Sequence, residues 1–117
     1  MNHIDTHLHR LFLDHDCVVV PGLGGFVCNR VPARYDVTRE ELVPPTRDVM
    51  FNERLIHHDG VLAQAVAMNE GLVYADAMQS IEQEASELKR RVQSGETVTI
   101  EHVGRLYRGQ DGGMLFM

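Results

Sequence analysis

An internal repeat restricts the fold of this chain more than any other feature of its sequence. When the 117-residue chain is shifted by 80 residues, DCVVVPGLGGFVCN aligns with ETVTIEHVGRLYRG. The matched pairs are Val18 with Val98, Val20 with Ile100, Leu23 with Val103, Gly24 with Gly104 and Phe26 with Leu106. Each segment places alternating apolar residues on either side of a glycine-containing turn, which predicts a β-hairpin. The chain is therefore expected to contain two copies of one structural unit.

Each copy extends beyond its hairpin. A segment with helical spacing precedes each hairpin, and a third strand-like segment with a phenylalanine near its end (Phe51 or Phe116) follows it. Units of this size cannot bury an adequate core alone, so the two are expected to share one. The predicted fold class is α+β, with a first unit over residues 1–58 and a second over residues 59–117.

Three helices are predicted from apolar spacing. Residues 3–14 place apolar side chains three and four positions apart, which predicts the first helix. Asp59 is a candidate N-cap for a helix over residues 60–69, and Gly71 suits its C-terminal cap. The third helix is predicted over residues 74–93. Its apolar stripe consists of Ala77, Ile81, Ala85, Leu88 and Val92.

The two units differ mainly between their second and third strands. In the second unit only Gly109–Gly113 separate these strands, which predicts a tight turn. In the first unit residues 29–42 are polar and without periodicity, so they predict an irregular excursion. This excursion and the return of the chain define an arm over residues 29–48.

The charge balance excludes one class of function. Lys and Arg together number 11 against 17 Asp and Glu, and the net charge is −6. A protein that coats DNA through bulk positive charge needs clustered cations, which this chain lacks.

No apolar run approaches the roughly 18–20 residues that span a bilayer, and the start lacks the basic-then-apolar order of a signal peptide. The sequence predicts a cytoplasmic location.

The histidines near the start give two weak indications of chemistry. His7 and His9 match the His-x-His of barrel-type metal hydrolases, but that fold needs about 250 residues and further ligands. His3 and His7 have the i,i+4 spacing that can hold zinc on a helix, but a structural zinc site usually has four ligands. We therefore predict no catalytic residue, no metal and no cofactor.

The glycine-rich turn PGLGGF only superficially resembles a phosphate-binding loop. It continues into a strand rather than a helix, and the GxxxxGK[ST] motif is missing. Gly22, Gly24 and Gly25, with Gly104 in the second copy, are therefore predicted to be structural residues that adopt positive φ in hairpin turns.

Two cysteines lie on neighbouring predicted strands. By strand alternation Cys17 points away from the face that carries Val18 and Val20, whereas Cys28 shares the face of Phe26. Two thiols on different faces cannot form a disulfide, and neither has an identifiable base. Both are predicted to be structural.

Four arginines make the arm a candidate binding surface. Arg30, Arg34, Arg39 and Arg47 are spread along it, and Pro32 would stiffen its base. The span over residues 30–47 contains three acidic residues and has a net charge of +1. Arginines on a β-arm can contact DNA phosphates or a minor groove. An ordinary solvated loop would have the same composition, and the residues alone leave both interpretations open.

The second half resembles the bacterial HU and integration-host-factor family. The resemblance is carried by Gly71, Leu72, Ala75, Ala77, Gly95, Val98, Ile100, Val103, Gly104 and Leu106. In the first half VVVPGLGGF is similar to the hairpin of that family, Ala33–Arg34 lie where its arm begins, and Phe51 lies where the arm returns. The resemblance implies two HU-like units, arranged as a pseudo-dimer within one chain.

The whole chain is similar to the divergent two-unit branch of this superfamily found at the N-termini of Bacteroidetes proteins. The matching segments are His15–Val27, Val31–Arg34, Pro44–Pro45, Val49–Asn52 and His58–Ala63. In that branch the domain is often joined through a membrane helix to a SPOR domain. The resemblance implies a link between the nucleoid and the cell envelope or division machinery. We expect contact with a membrane only through a continuation of this chain.

The differences from the family decide between two functions. DNA-bending members carry a proline at the arm tip, where this chain has YDVTREEL, and the second unit has no predicted arm. The favoured interpretation is a non-catalytic module for protein interaction or self-association, through the arm or an exposed sheet edge. The alternative is weak, salt-sensitive, nonspecific binding of double-stranded DNA by Arg30, Arg34, Arg39 and Arg47.

Overall fold

The computed structural model describes the backbone of residues 2–117 and the side chains from residue 3 onward. Within these residues three α-helices and eight β-strands follow one another. The first half contains α1 (Asn2–Leu11), β1 (Cys17–Val20), β2 (Gly24–Val31), β3 (Arg34–Asp36), β4 (Glu41–Val43) and β5 (Thr46–Asn52). The second half contains α2 (Val61–Glu70), α3 (Tyr74–Gln93), β6 (Val98–Ile100), β7 (Gly104–Arg108) and β8 (Met114–Phe116).

The predicted repeat is present in the register of the strands. One three-stranded antiparallel sheet has the order β1-β2-β5 and the other has the order β6-β7-β8. In the first sheet Val18 pairs with Phe26, which pairs with Phe51. In the second sheet the corresponding row is Val98, Leu106 and Phe116. The sequence repeat therefore has a structural counterpart, strand by strand.

Both halves contribute to one hydrophobic core, as the small size of each unit predicts. Helix α3 supplies the complete predicted stripe from Ala77 to Val92, and all five of its residues are buried. From the first half the core receives the apolar face of α1 and the inner face of the first sheet. The ring of Phe26 lies 4.9 Å from that of Phe51 and 5.6 Å from that of Phe116. Phe26 therefore connects the two sheets.

Two helix boundaries differ from the sequence prediction. Helix α1 ends at Leu11 and not at residue 14, because residues 12–14 form a turn that keeps Phe12 buried and leaves Leu13 exposed. Helix α2 begins at Val61, and its N-cap residue is Gly60 with a φ of 74°. Asp59 lies one residue earlier, where its carboxylate accepts hydrogen bonds from the backbone N–H of Val61 and of Val19. Asp59 thus joins the start of α2 to β1.

The prediction of an irregular excursion is wrong. Strand β2 continues to Val31, and β3 and β4 pair as a two-stranded antiparallel ribbon. Asp36 stabilises the turn of this ribbon, since its Oδ1 accepts hydrogen bonds from the backbone N–H of Thr38 and Arg39. We call residues 34–43 the ribbon. It projects from the core, and the radius of gyration of 16.1 Å exceeds the roughly 13 Å of a compact domain of this length.

The glycine prediction holds in part. Gly22 has a φ of 82°, in the left-handed region that favours glycine. Gly25 does not have a positive φ, which corrects the prediction. A Cβ at Gly25 would lie 2.7 Å from the side chain of Leu55, so close packing explains a glycine there.

Candidate interaction surface on the arm

Prolines separate the arm into a base and the ribbon. Proline has no backbone N–H to donate, and the ladder stops at Pro32 on one side and at Pro44–Pro45 on the other. The base is the part of β2 and β5 that extends beyond the core, where Arg30 pairs in register with Arg47. The ribbon follows as a separate two-stranded sheet.

An open groove with a volume of about 490 Å³ lies between the base and the end of α1. Pro32, Arg30 and Arg47, three of the predicted site residues, line this groove together with Phe12 and Leu13 from the end of α1. The structure therefore brings part of the predicted site together. Arg34 begins the ribbon, and Arg39 lies in the turn at its tip, so these two stand apart from the groove.

Two of the four arginines have partners within the chain. The guanidinium of Arg30 donates a hydrogen bond to the carbonyl oxygen of Phe12 and lies 3.5 Å from the carboxylate of Asp16. Arg39 lies 3.9 Å from the carboxylate of Glu41. Within the part of the chain that the structure describes, no ion-pair partner faces Arg34 or Arg47. Among the four arm arginines, and within the described residues, the guanidinium groups of Arg34 and Arg47 could therefore meet a phosphate without losing an ion pair.

The two faces of the ribbon differ in chemistry. Tyr35 pairs with Leu42 in register, so both side chains lie on one face. Tyr35 is 59% exposed, Leu42 is 71% exposed and Val37 in the turn is 79% exposed. We call these three residues the apolar patch. The opposite face carries Arg34, Asp36 and Glu41. Charge patterning alone did not reveal the apolar patch, because the strand register that aligns Tyr35 with Leu42 was not predicted.

The ribbon itself is acidic. Residues 34–43 contain two arginines against three acidic residues, a net charge of −1. The net charge of +1 over residues 30–47 therefore depends on Arg30 and Arg47 at the base. Asp36 and Glu41 also face each other in register, which places two like charges side by side. The tip is a poor electrostatic match for a DNA phosphate backbone.

The cysteines are placed as the strand alternation predicts. Cys17 is exposed, Cys28 is buried, and both are free thiols. Partial burial raises the pKa of the Cys17 thiol, and the nearby negative charge of Asp59 raises it further. A raised pKa keeps the thiol protonated and weakly nucleophilic at neutral pH.

Asp5, outside the arm, also has a perturbed environment. Burial raises the pKa of the Asp5 carboxyl on α1, although the backbone N–H of Glu101 donates a hydrogen bond that partly opposes the shift. On the same helix the ring of His9 lies against that of His102 in a tilted arrangement, with ring centroids 5.0 Å apart. These contacts join α1 to the turn between β6 and β7, a structural role.

The fold and register define two HU-like domains in tandem. The model of the CCDC81-like prokaryotic HU domain 1 matches residues 1–59, and that of the CCDC81-like prokaryotic HU domain 2 matches residues 60–117. The chain belongs to this family of CCDC81-like prokaryotic HU domains. No curated protein and no solved structure matches the chain.

The family membership limits the range of functions. HU-like domains act as DNA-binding or as interaction modules, and their family is generally non-enzymatic. In the described part of the chain, each helix is too short or too polar to cross a membrane.

Proposed function

We propose that the chain is a protein-interaction module and that the apolar patch of the ribbon is its contact surface. The observation that carries this proposal is the exposure of Tyr35, Val37 and Leu42 on the projecting, acidic ribbon. Contiguous exposed apolar groups bordered by charged residues are typical of protein-binding surfaces. Tyrosine is also enriched at such interfaces, because its ring is apolar and its hydroxyl can hydrogen-bond.

The proposal includes an arrangement of the two units. The units, over residues 1–58 and 59–117, stand in for the two subunits of an HU dimer within one chain, and only the first retains an arm. The equivalent rows of paired residues in the two sheets support this arrangement. With one arm the module would present one contact surface. In its biological setting, it would act in the cytoplasm and connect the nucleoid to the cell envelope or division machinery, as in the SPOR-associated Bacteroidetes branch it resembles.

Replacing the apolar patch should abolish partner binding. In the double variant Tyr35→Ser/Leu42→Ser two exposed apolar groups are lost, and the core is untouched. The immobilised wild-type chain retains its partners from an extract of its native cells. We expect the immobilised double variant to retain at least about tenfold less of these proteins. Quantitative mass spectrometry of the retained proteins measures this change.

The control for this experiment replaces two apolar residues of similar exposure outside the arm. Met68 is 85% exposed and Val73 is 65% exposed, so Met68→Ser/Val73→Ser removes comparable apolar surface. The control should retain the same proteins as wild type. Equal retention by the ribbon variant and wild type would refute the proposal, as would equal losses in the two double variants.

DNA binding is the second candidate, and the observation that favours it is the pair of unpartnered arginines, Arg34 and Arg47. With two phosphate contacts, the logarithm of the association constant falls with the logarithm of the salt concentration with a slope of about −2. This slope corresponds to about a tenfold loss of affinity between 50 and 200 mM salt. We expect any binding to a labelled duplex of about 30 base pairs to show this slope and to vanish in Arg34→Glu/Arg47→Glu. Fluorescence anisotropy measures both. If the double variant binds DNA as tightly as wild type, or if the affinity does not change with salt, the arm is excluded as the DNA contact.

A further inference from the structure

One side-chain cluster outside the arm has the composition of a metal site. In residues 3–117, His3, His7 and Glu70 each offer a ligand atom, and these atoms all lie within 4.8 Å of one another. The sequence spacing identifies only the two histidines as candidate ligands. The fold adds the third group by packing the end of α2 against the start of α1.

The three groups converge on one point. His3 and His7 are one helical turn apart on α1, and the side chain of His7 is only 6% exposed. The Oε2 of Glu70 lies 2.5 Å from Nδ1 of His3 and 3.6 Å from Nε2 of His7. Donors at about 2.0–2.2 Å from a tetrahedral zinc ion lie roughly 3.3–3.5 Å apart. The distance from Glu70 to His7 is close to this spacing, and the half-exposed Glu70 side chain would have to move away from His3 to reach it.

The second nitrogen of His3 lies near a carboxylate that could orient the ring. Its Nε2 lies 3.6 Å from Oε2 of Glu84 on α3. The other oxygen of Glu84 accepts hydrogen bonds from the backbone N–H of His3 and of Ile4, at 2.9 and 3.4 Å. These bonds hold the carboxylate in place. A histidine that binds metal through one nitrogen usually donates the other N–H to such a carboxylate, which fixes the ring and its tautomer.

The electrostatic setting favours a cation between the helices. Glu70 lies in the last turn of α2, where the helix dipole is negative and no basic residue of α2 offsets it. With Glu84 close by, two carboxylates surround His3. Arg10 lines the same cleft from α1 and is the cationic side chain among its lining residues.

We propose that His3 Nδ1, His7 Nε2 and Glu70 Oε2 bind one Zn²⁺ ion, with water as the fourth ligand. Glu84 is a positioning residue that orients His3. Two imidazoles with one carboxylate suit zinc, whereas magnesium prefers oxygen ligands alone. The bound ion would join α1 to α2, and therefore the first half of the chain to the second.

The test is a calorimetric titration of ZnCl₂ into the full chain, free of any polyhistidine tag and treated first with a chelator. We expect one site per chain with a micromolar or tighter dissociation constant, and no heat with MgCl₂. His3→Gln and Glu70→Gln should each weaken zinc binding at least about tenfold, and Glu84→Gln should weaken it roughly tenfold without removing the site. These variants avoid the buried His7, whose replacement could disturb folding.

A matched control and a second measurement make the result decisive. His57→Gln/His58→Gln removes two exposed histidines outside the cluster and should leave zinc affinity unchanged. The ¹⁵N resonances of the His3 and His7 rings should shift on addition of zinc, while circular dichroism confirms that each variant is folded. The absence of a zinc site in wild type, or unchanged affinity in folded His3→Gln and Glu70→Gln, would overturn the proposal.

Discussion

Replacing Gly104 by alanine should destabilise the protein by about 3 kcal/mol. Gly104 begins β7, directly against β8. A Cβ at this position would overlap the ring of Phe116 and lie 2.7 Å from the carbonyl oxygen of Met117. Carbon atoms pack favourably at about 3.5–4.0 Å, so part of the second sheet must move to admit the methyl group. Urea denaturation followed by circular dichroism measures the loss in the free energy of unfolding.

Gly112→Ala provides the control for this prediction. Gly112 has a φ of 87°, and a Cβ there would meet nothing within 4 Å. Its replacement adds backbone strain of about 1 kcal/mol without a steric clash. If Gly104→Ala costs no more than Gly112→Ala, the close approach of β7 and Phe116 does not set the requirement for glycine.

Replacing Phe26 by alanine should have an effect at least as large, about 3–5 kcal/mol. Phe26 is fully buried, and its ring contacts those of Phe51 and Phe116 in two different sheets. The lost contacts and the resulting cavity both lower the free energy of unfolding. Because Phe116 belongs to the second half, we expect amide hydrogen exchange to accelerate in β6 and β7 as well as in β1 and β2.

The control variant is Phe26→Leu, which keeps most of the buried volume and should cost about 1–2 kcal/mol. Urea denaturation gives the loss of stability, and hydrogen exchange followed by NMR locates it. Faster exchange confined to β1, β2 and β5 would contradict a core shared by the two halves.

The repeat explains why much of the fold could be predicted from sequence. A shift of 80 residues aligns Val18–Phe26 with Val98–Leu106, and the two hairpins have this register in the structure. The bounds of α3 agree with the prediction from its apolar stripe. Patterns of this kind are local and strongly periodic, so few alternatives compete with them.

The remaining features depend on contacts between distant parts of the chain or on weak local patterns. Phe12 is apolar and continues the helical spacing, so the predicted helix extends beyond Leu11. In the structure Phe12 is buried, but α1 ends at Leu11. The ribbon has strands of only three residues, too short to show alternation. Glu70 lies 67 residues from His3, and only the packing of α2 on α1 brings the two together. Spacing therefore predicts neither the apolar patch nor the position of Glu70 beside His3 and His7.

The two units differ in structure mainly at the arm. Their sheets share one register, but β2 has eight residues where β7 has five, and only the first unit continues into a ribbon. The core rows are thus equivalent in the two units, whereas the arm belongs to the first unit alone within the described residues. Substitutions at Gly104 or Phe26 should lower stability, whereas those at Tyr35 and Leu42 should lower binding alone.

Photo-crosslinking from the ribbon in native cells tests the central proposal most directly. A photoreactive phenylalanine replaces Leu42, which is 71% exposed in the apolar patch, or Met68, which is 85% exposed on α2. We expect a discrete crosslinked protein from position 42 that is missing from position 68. Identical crosslinks from both positions, or none from position 42, would contradict the assignment of the ribbon as the protein-binding surface.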